Sequence, residues 1–289
     1  MTLIMTLLVR DEQDILPANI EYHLSQGVDF IIATDNLSCD ATPAILKQYE
    51  RRGVLRCVLE SEDNYAQHLW VTRMARMAFE EYGADWVINN DADEFWWPQQ
   101  GNLREFFAQQ ATNTQAISVE RVNFVPRPGT EKQWFVDKMT VREVRSLNAV
   151  GKPLPPKTCH RGSAGIEVEQ GNHRVSLHGQ ALPAQLSSDL LIFHFPLRTY
   201  AQFANKIQKG GAAYVRNTQL AQGVGITWRK LYDKFQEGTL REHVLKNQMP
   251  TAQQIQQGLA DKIYVQDTRL RDYLQSLDAA RIRSLSYFN

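Results

Sequence analysis

The chain has few cysteines, no excess of either charge and no apolar run long enough to cross a membrane. Its three cysteines in 289 residues, Cys39, Cys57 and Cys159, are too scattered for a disulfide framework and form no Cys-x-x-Cys pair, which points to a reducing compartment. Cys159-His160 is a lone neighbour pair, and one thiol beside one imidazole falls short of a zinc site. Lys plus Arg and Asp plus Glu number 32 each. No whole-chain field therefore attracts nucleic acid or an anionic membrane, and partners have to be recognised locally. The apolar start MTLIMTLLV has no basic leader and no small-residue cleavage site, and it runs straight into Arg10-Asp11-Glu12. It reads as a buried strand, since a span needs about 20 apolar residues. The expectation is a cytoplasmic protein that acts, if at a membrane at all, at its inner face through a partner or substrate. Internal repeats and low-complexity tracts are also missing.

What is present is a regular alternation of two periods. Residues 3–9 form a continuous apolar run, as for a strand buried on both faces. Residues 14–26 then read as a helix, with Pro17 in the first turn and Gly27 just past the end. A strand over 28–34, a helix over 42–52, a strand over 54–59, a helix over 65–82 and a strand over 86–90 follow. This order predicts an α/β fold with a mostly parallel sheet and right-handed crossovers. Beyond it come a short helix over 102–110 capped by Asn102 and a strand over 116–125. Residues 126–190 are rich in Pro and Gly and loop-like, with short apolar runs at 165–168 and 175–177. One more strand covers 190–195. From Tyr200 the pattern is helical and amphipathic, with Gly210-Gly211 and Pro250 as breaks. We expect one αβ unit over 1–198 and a helical extension over 199–289 packed on it.

Open parallel sheets bind ligands beyond the carboxyl ends of their strands, and all four of those ends are acidic here: Arg10-Asp11-Glu12, Asp35-Asn36, Glu60 to Asp63, and Asp91 to Glu94. The last group lies in WVINNDADEFWWP. Side chains two apart on an extended chain share a face, so Asp91 and Asp93 can converge while Glu94 turns away to an arginine or a backbone N–H. Two hard oxygen ligands with open positions suit Mg²⁺ or Mn²⁺ held jointly with phosphates. Phe95-Trp96-Trp97 is either an apolar shelf for a sugar or base, or core beneath the loop.

The segment VRDEQDILPANIEYHLSQGVDFIIATDN, followed by DWVINNDADEF, resembles the nucleotide-diphospho-sugar transferase fold known as GT-A. More narrowly it is similar to family-2-like bacterial glycosyltransferases of polysaccharide synthesis, whose metal motif reads Asp-x-Asp-Glu-Phe. The resemblance covers roughly residues 3–100 and resumes at GNHRVSL and FHFPLRTYAQFANKIQKGG. It implies a sugar moved from a nucleotide-diphosphate donor to a glycan or other hydroxyl acceptor, by inversion, with Mn²⁺ or Mg²⁺. It implies that Arg10, Glu12, Asp35 and Asn36 hold the base and ribose, and that Asp91 and Asp93 bind metal and diphosphate. His194 would complete the metal site, with His173 as the rival. Arg73, Arg198 and Lys206 are the candidates for neutralising the diphosphate.

Two departures stand out. Relatives have an apolar residue and an acid where this chain has Asn89-Asn90, and the motif that carries their general base is missing. Glu167 is the expected base, with Glu120 and Asp189 as alternatives. Two other readings remain open: a nucleotidyltransferase, although no glycine follows the first strand to cradle a triphosphate, and a non-catalytic nucleotide-sugar-binding protein.

Overall fold

A computed structural model describes residues 1–286 except 128, 131, 149, 150 and 222. The chain opens with β1 (Leu3–Val9), α1 (Leu16–Ser25), β2 (Phe30–Asn36), α2 (Thr42–Arg51), β3 (Leu55–Glu60), α3 (Gln67–Glu80) and β4 (Trp86–Asp91). Next come β5 (Glu94–Pro98), α4 (Leu103–Ala108), β6 (Ala116–Val119), β7 (Arg121–Asn123), α5 (Phe135–Lys138), β8 (Val141–Glu143) and β9 (Lys157–Arg161). The short strands β10 (Ile166–Val168), β11 (Val175–Leu177), β12 (Gln180–Ala181), β13 (Gln185–Leu186) and β14 (Leu190–His194) lead into α6 (Tyr200–Arg216). The end of the chain holds α7 (Ile226–Gln236), α8 (Leu240–Asn247), α9 (Ala252–Ala260), β15 (Tyr264–Gln266), α10 (Arg269–Ser276) and α11 (Ala279–Leu285).

The main sheet runs β13-β6-β9-β4-β1-β2-β3. β1 pairs in parallel with β2 and β4, and β2 with β3, while β9 is antiparallel to both β4 and β6. β1 shows why the sheet is double-faced. Leu3, Met5, Leu7 and Val9 enter the cluster beneath α1 and α2, whereas Ile4 and Leu8 enter the one beneath α3. A strand buried on both sides has to be apolar throughout, which is the run seen in the sequence. The expected α/β class with a mostly parallel sheet and a helical C-terminal part is the observed one.

The middle of the chain departs from its loop-like reading. The expected strand over 116–125 divides at Glu120: β6 stays in the main sheet, and β7 joins a second sheet, β5-β14-β7. Residues 126–190 hold β8 to β13 rather than only the two short runs. The tail is also less separate than its helical pattern implied. β15 pairs antiparallel with β8, and Leu270, Leu274 and Ile282 of α10 and α11 sit in the main core.

Gly210-Gly211 does not break α6, which is continuous from Tyr200 to Arg216. A Cβ on Gly210 would lie 2.6 Å from the Trp228 ring, and one on Gly211 2.4 Å from Tyr232 Cβ. The two glycines let α7 lie directly on the backbone of α6. Pro250 does separate two helices, α8 and α9.

Candidate active site

A cleft of about 980 Å³ opens at the carboxyl edge of β1, β2 and β4, with the small sheet and α6 to α8 as its other walls. The turn between β4 and β5 projects into it. Buried Asn19 on α1 sets this turn, its side-chain amide donating to the carbonyls of Ala92 (2.9 Å) and Glu94 (2.8 Å). Asn90 donates to Asn19 Oδ1 at 3.1 Å and accepts from the Trp96 indole N–H at 3.0 Å. Thr6 donates to Asn89 Oδ1 at 3.0 Å. The Asn89-Asn90 pair is therefore a clamp that aims the turn. Phe95 and Trp96 are fully buried, and Trp97 stacks on Phe193, so these aromatics are core and not a shelf. The aromatic face in the cleft comes instead from Tyr65, Tyr214 and Trp228, with the Tyr65 ring tilted against Tyr214 at 4.6 Å and against Trp228 at 5.7 Å between centroids.

Asp91 and Asp93 both line the cleft but have different partners. Asp91 Oδ2 accepts from Lys157 at 2.5 Å. Asp93 is nearly inaccessible and accepts from Lys206 at 2.7 Å. Burial raises the Asp93 carboxyl, but Lys206, His194 and Arg198 override it and hold the group well below the usual carboxylate range. Glu94 is wholly buried and pairs with Arg121 at 2.9 Å and Lys157 at 3.4 Å, an arginine partner as expected from its opposite facing.

His194 stands with its Nε2 3.7 Å from Asp93 Oδ2. Its other nitrogen is 2.8 Å from Asn123 Oδ1. Asn123 Nδ2 donates to Glu143 and to the Leu147 carbonyl, which fixes the amide so that its oxygen faces the imidazole. The Nδ1–H of His194 therefore donates to Asn123, and Nε2 faces the Asp93 carboxylate. The Lys206 ammonium lies 2.7 Å from the same Asp93 oxygen, and an imidazole oriented through its second nitrogen is a form that a metal ligand can take. His173 also lines the cleft, with Nδ1 2.9 Å from the Pro156 carbonyl. Its Nε2, however, lies over Gly171, close enough to meet a Cβ there at 2.6 Å. Burial and the neighbouring Lys157 and Arg121 push its pKa down to about 3.

The remaining sequence candidates divide into those at the cleft and those away from it. Arg10 lines the cleft and pairs with Asp63 at 2.6 Å. Glu12 accepts from Lys206 at 3.1 Å and from Arg198 at 2.5 Å. Arg198 is fully buried and also forks onto Asp14, so it braces the loop after β1. Asn36 lines the cleft, with Asp35 buried beside it at Ser38. α6 turns Asn205, Lys206 and Lys209 toward the acids of that edge: Lys209 pairs with Asp11, and Asn205 donates to it at 2.9 Å. Arg73 is on the outer surface, 3.1 Å from Glu60. Glu167 sits on β10, half exposed, 3.6 Å from Arg76 and 3.1 Å from Ser176. Glu120 and Asp189 are exposed, and none of these three expected bases is part of the cleft lining.

The sequence reading did not find Lys157, Asn19, Asn123 or Glu143. Lys157 had one legible signal: in KTCHR, Cys159 and His160 interrupt a Pro-rich stretch with a strand-like segment.

A mostly parallel sheet whose carboxyl edge opens on an acidic, aromatic-walled cleft defines the ligand-binding α/β class. The profile of glycosyltransferase family 92 matches residues 5–164, more than half of the chain, and the chain belongs to that family. The resemblance drawn from the sequence was to a family-2-like group; what the match shares with it is a glycosyltransferase. Among solved structures, S. aureus TarS 1–349 in complex with UDP is 12% identical, with a TM-score of 0.41, over 99% of this chain and 83% of that one. The same fragment in complex with UDP-GlcNAc is 11% identical, with a TM-score of 0.40, over 99% and 90%. A mycobacterial protein is 18% identical over 45% of this chain and 43% of its own, with a TM-score of 0.29. These likenesses are too distant to assign a ligand. No curated protein matches the chain. No helix among the described residues is long and apolar enough to cross a membrane.

Proposed function

We propose that the cleft binds a nucleotide-diphosphate sugar and transfers the sugar to a hydroxyl acceptor by direct displacement, with Mn²⁺ or Mg²⁺ held by Asp93 and His194 next to Asp91. The observation that carries this reading is His194 Nε2 facing the Asp93 carboxylate at 3.7 Å, with the ring oriented through Asn123. A divalent ion there would act as a Lewis acid, offsetting charge that builds on the diphosphate leaving group. The chain's own contribution is positional and electrostatic. Asn19 and Asn90 fix the turn, Lys206 and Lys157 place positive charge beside the aspartates, and Tyr65, Tyr214 and Trp228 offer faces on which a base or sugar can stack. Arg10, Glu12, Asp35 and Asn36 remain the proposed base and ribose contacts.

A metal-free version has one observation in its favour: the Lys206 ammonium already bridges Asp93 and Glu12. Chelation separates the two versions, because EDTA abolishes transfer in the first and leaves it intact in the second.

Asp93→Ala is expected to lower transfer about 10³-fold or more, equivalent to several kcal/mol of transition-state stabilisation. The binding assay is thermal stabilisation by UDP, GDP, CDP or TDP with Mn²⁺. A ligand at about 100 times its dissociation constant adds about 2.7 kcal/mol to the wild-type chain. Unchanged turnover in Asp93→Ala rejects the proposal.

A further inference from the structure

Displacement at the anomeric carbon leaves the acceptor hydroxyl's proton to be placed. We infer that Glu143 takes it, as the general base, and that the wall of the cleft around Glu143 is the acceptor side. This inference rests on the glycosyl-transfer reading of the same cleft.

Five described carboxylates line the cleft: Asp11, Glu12, Asp91, Asp93 and Glu143. Four of them are spoken for by cations, namely Asp11 by Lys209, Glu12 by Arg198 and Lys206, Asp91 by Lys157, and Asp93 by Lys206. Their oxygens are engaged by those cations rather than free for an acceptor hydroxyl. Burial raises the Glu12 carboxyl too, but both of its oxygens are held, one by Arg198 and one by Lys206. Glu143 is held differently. Its contacts are neutral donors: Asn123 Nδ2 at 3.1 Å, the Ser146 side chain and the Leu147 backbone N–H. Burial outweighs those hydrogen bonds and the pull of a protonated His194, and raises its carboxyl above the ordinary range, the direction a base needs to work near neutral pH.

Position supports the same assignment. Asn123 joins Glu143 to His194, one oxygen and one nitrogen of the same amide serving each. Glu143 is thus a single side chain away from the histidine beside Asp93, on the wall opposite the edge where the acids and lysines gather. Around it the surface suits a sugar. Tyr264 on β15 is its cross-strand partner, and Leu147 and Ile263, both about half exposed at 48% and 58%, extend the apolar rim.

The step balances without a redox partner. The acceptor O–H proton passes to a Glu143 carboxylate oxygen, and the freed oxygen pair forms the bond to the anomeric carbon. The bond from that carbon to the diphosphate oxygen breaks, and its electron pair leaves with the nucleoside diphosphate. Glu143 then returns its proton to solvent.

Glu143→Gln tests this in the full chain. Glutamine is isosteric and keeps an oxygen for Asn123, so the fold and the His194 orientation should survive. Nucleoside diphosphate release from a panel of UDP- and GDP-sugars is followed with free monosaccharides as acceptors and with water standing in for the acceptor hydroxyl. The expected result is a fall in kcat of about 10²–10⁴-fold, with the Kd for nucleoside diphosphate and the melting temperature unchanged and with partial recovery in Glu143→Asp. Turnover within about threefold of wild type overturns the assignment. So does a parallel loss of donor binding or melting temperature, which would make Glu143 a structural residue. Failure of the underlying reading looks different: the wild-type chain itself would then bind no nucleoside diphosphate, and both proposals would fall.

Discussion

The two walls of the cleft solve opposite electrostatic problems. On the β1–β4 edge Asp11, Glu12, Asp91 and Asp93 are matched by lysines or arginines brought from elsewhere in the sequence: Lys157 from β9, Arg198 from just before α6, and Lys206 and Lys209 from α6. On the β7–β8 wall the acid is Glu143, and its partners are an amide, a hydroxyl and a backbone N–H. Under the proposed function, charge neutralised in place suits a surface that receives a polyanion, because the lysines can engage phosphate while the carboxylates bind a cation. An acid held by neutral donors keeps its basicity. The difference in counter-charge, more than the number of acids, is what separates the two walls in the proposed mechanism.

Removing Lys157 should break this pattern most severely. It is nearly inaccessible and is shared between Asp91 at 2.5 Å and the wholly buried Glu94 at 3.4 Å. Lys157→Met keeps the stem but leaves Glu94 on Arg121 alone, and Asp91 with Gln67 and Asn172 amides at 3.4 Å each. Breaking a buried pair by deleting one partner costs about 3–5 kcal/mol. With Arg121 retained, the lower end is expected, measured as a fall in the urea midpoint at unchanged slope. A loss below about 1 kcal/mol would mean that Lys157 serves the ligand and not the fold, and would move it from scaffold to binding surface.

The helical wall formed by α6 and α7 depends on close packing. Gly211→Ala puts a methyl 2.4 Å from Tyr232 Cβ, which α7 can relieve only by moving outward. Overpacking of this kind costs about 1–3 kcal/mol. Because α7 carries Trp228 into the cleft, the same variant should raise KM for the substrate that stacks there more than it lowers kcat. An unchanged KM with full stability would show that α7 already has room to shift.

Both walls bear on what the sequence can disclose. The β1–β4 edge was legible because each of its acids follows a strand with a clear period, so position alone marked Glu12, Asp35, Asp91 and Asp93. Their counter-charges were not legible, since Lys157–Asp91 and Lys206–Asp93 span 66 and 113 residues and pairing at such range leaves no local trace. Glu143 was hidden for a further reason. β8 is three residues long and is stabilised by β15, far along the chain, so no alternation announces it. Asn89-Asn90 read as a departure from the pattern of relatives. Only the contacts to Asn19 and Trp96 reveal a clamp.

Arg73 offers the smallest and cleanest contrast. The resemblance made it a candidate for the diphosphate, yet it lies outside the cleft in an exposed pair with Glu60. Exposed pairs contribute about 0–1 kcal/mol, because water screens the attraction and two long side chains lose freedom. Arg73→Ala should therefore cost less than about 1 kcal/mol and leave kcat and KM within about twofold, in the same assay that reports the large loss in Asp93→Ala. If instead Arg73→Ala weakened donor binding tenfold, α3 would have to swing toward the carboxyl edge on binding. The division of labour between the two walls would then describe the ligand-free shape alone.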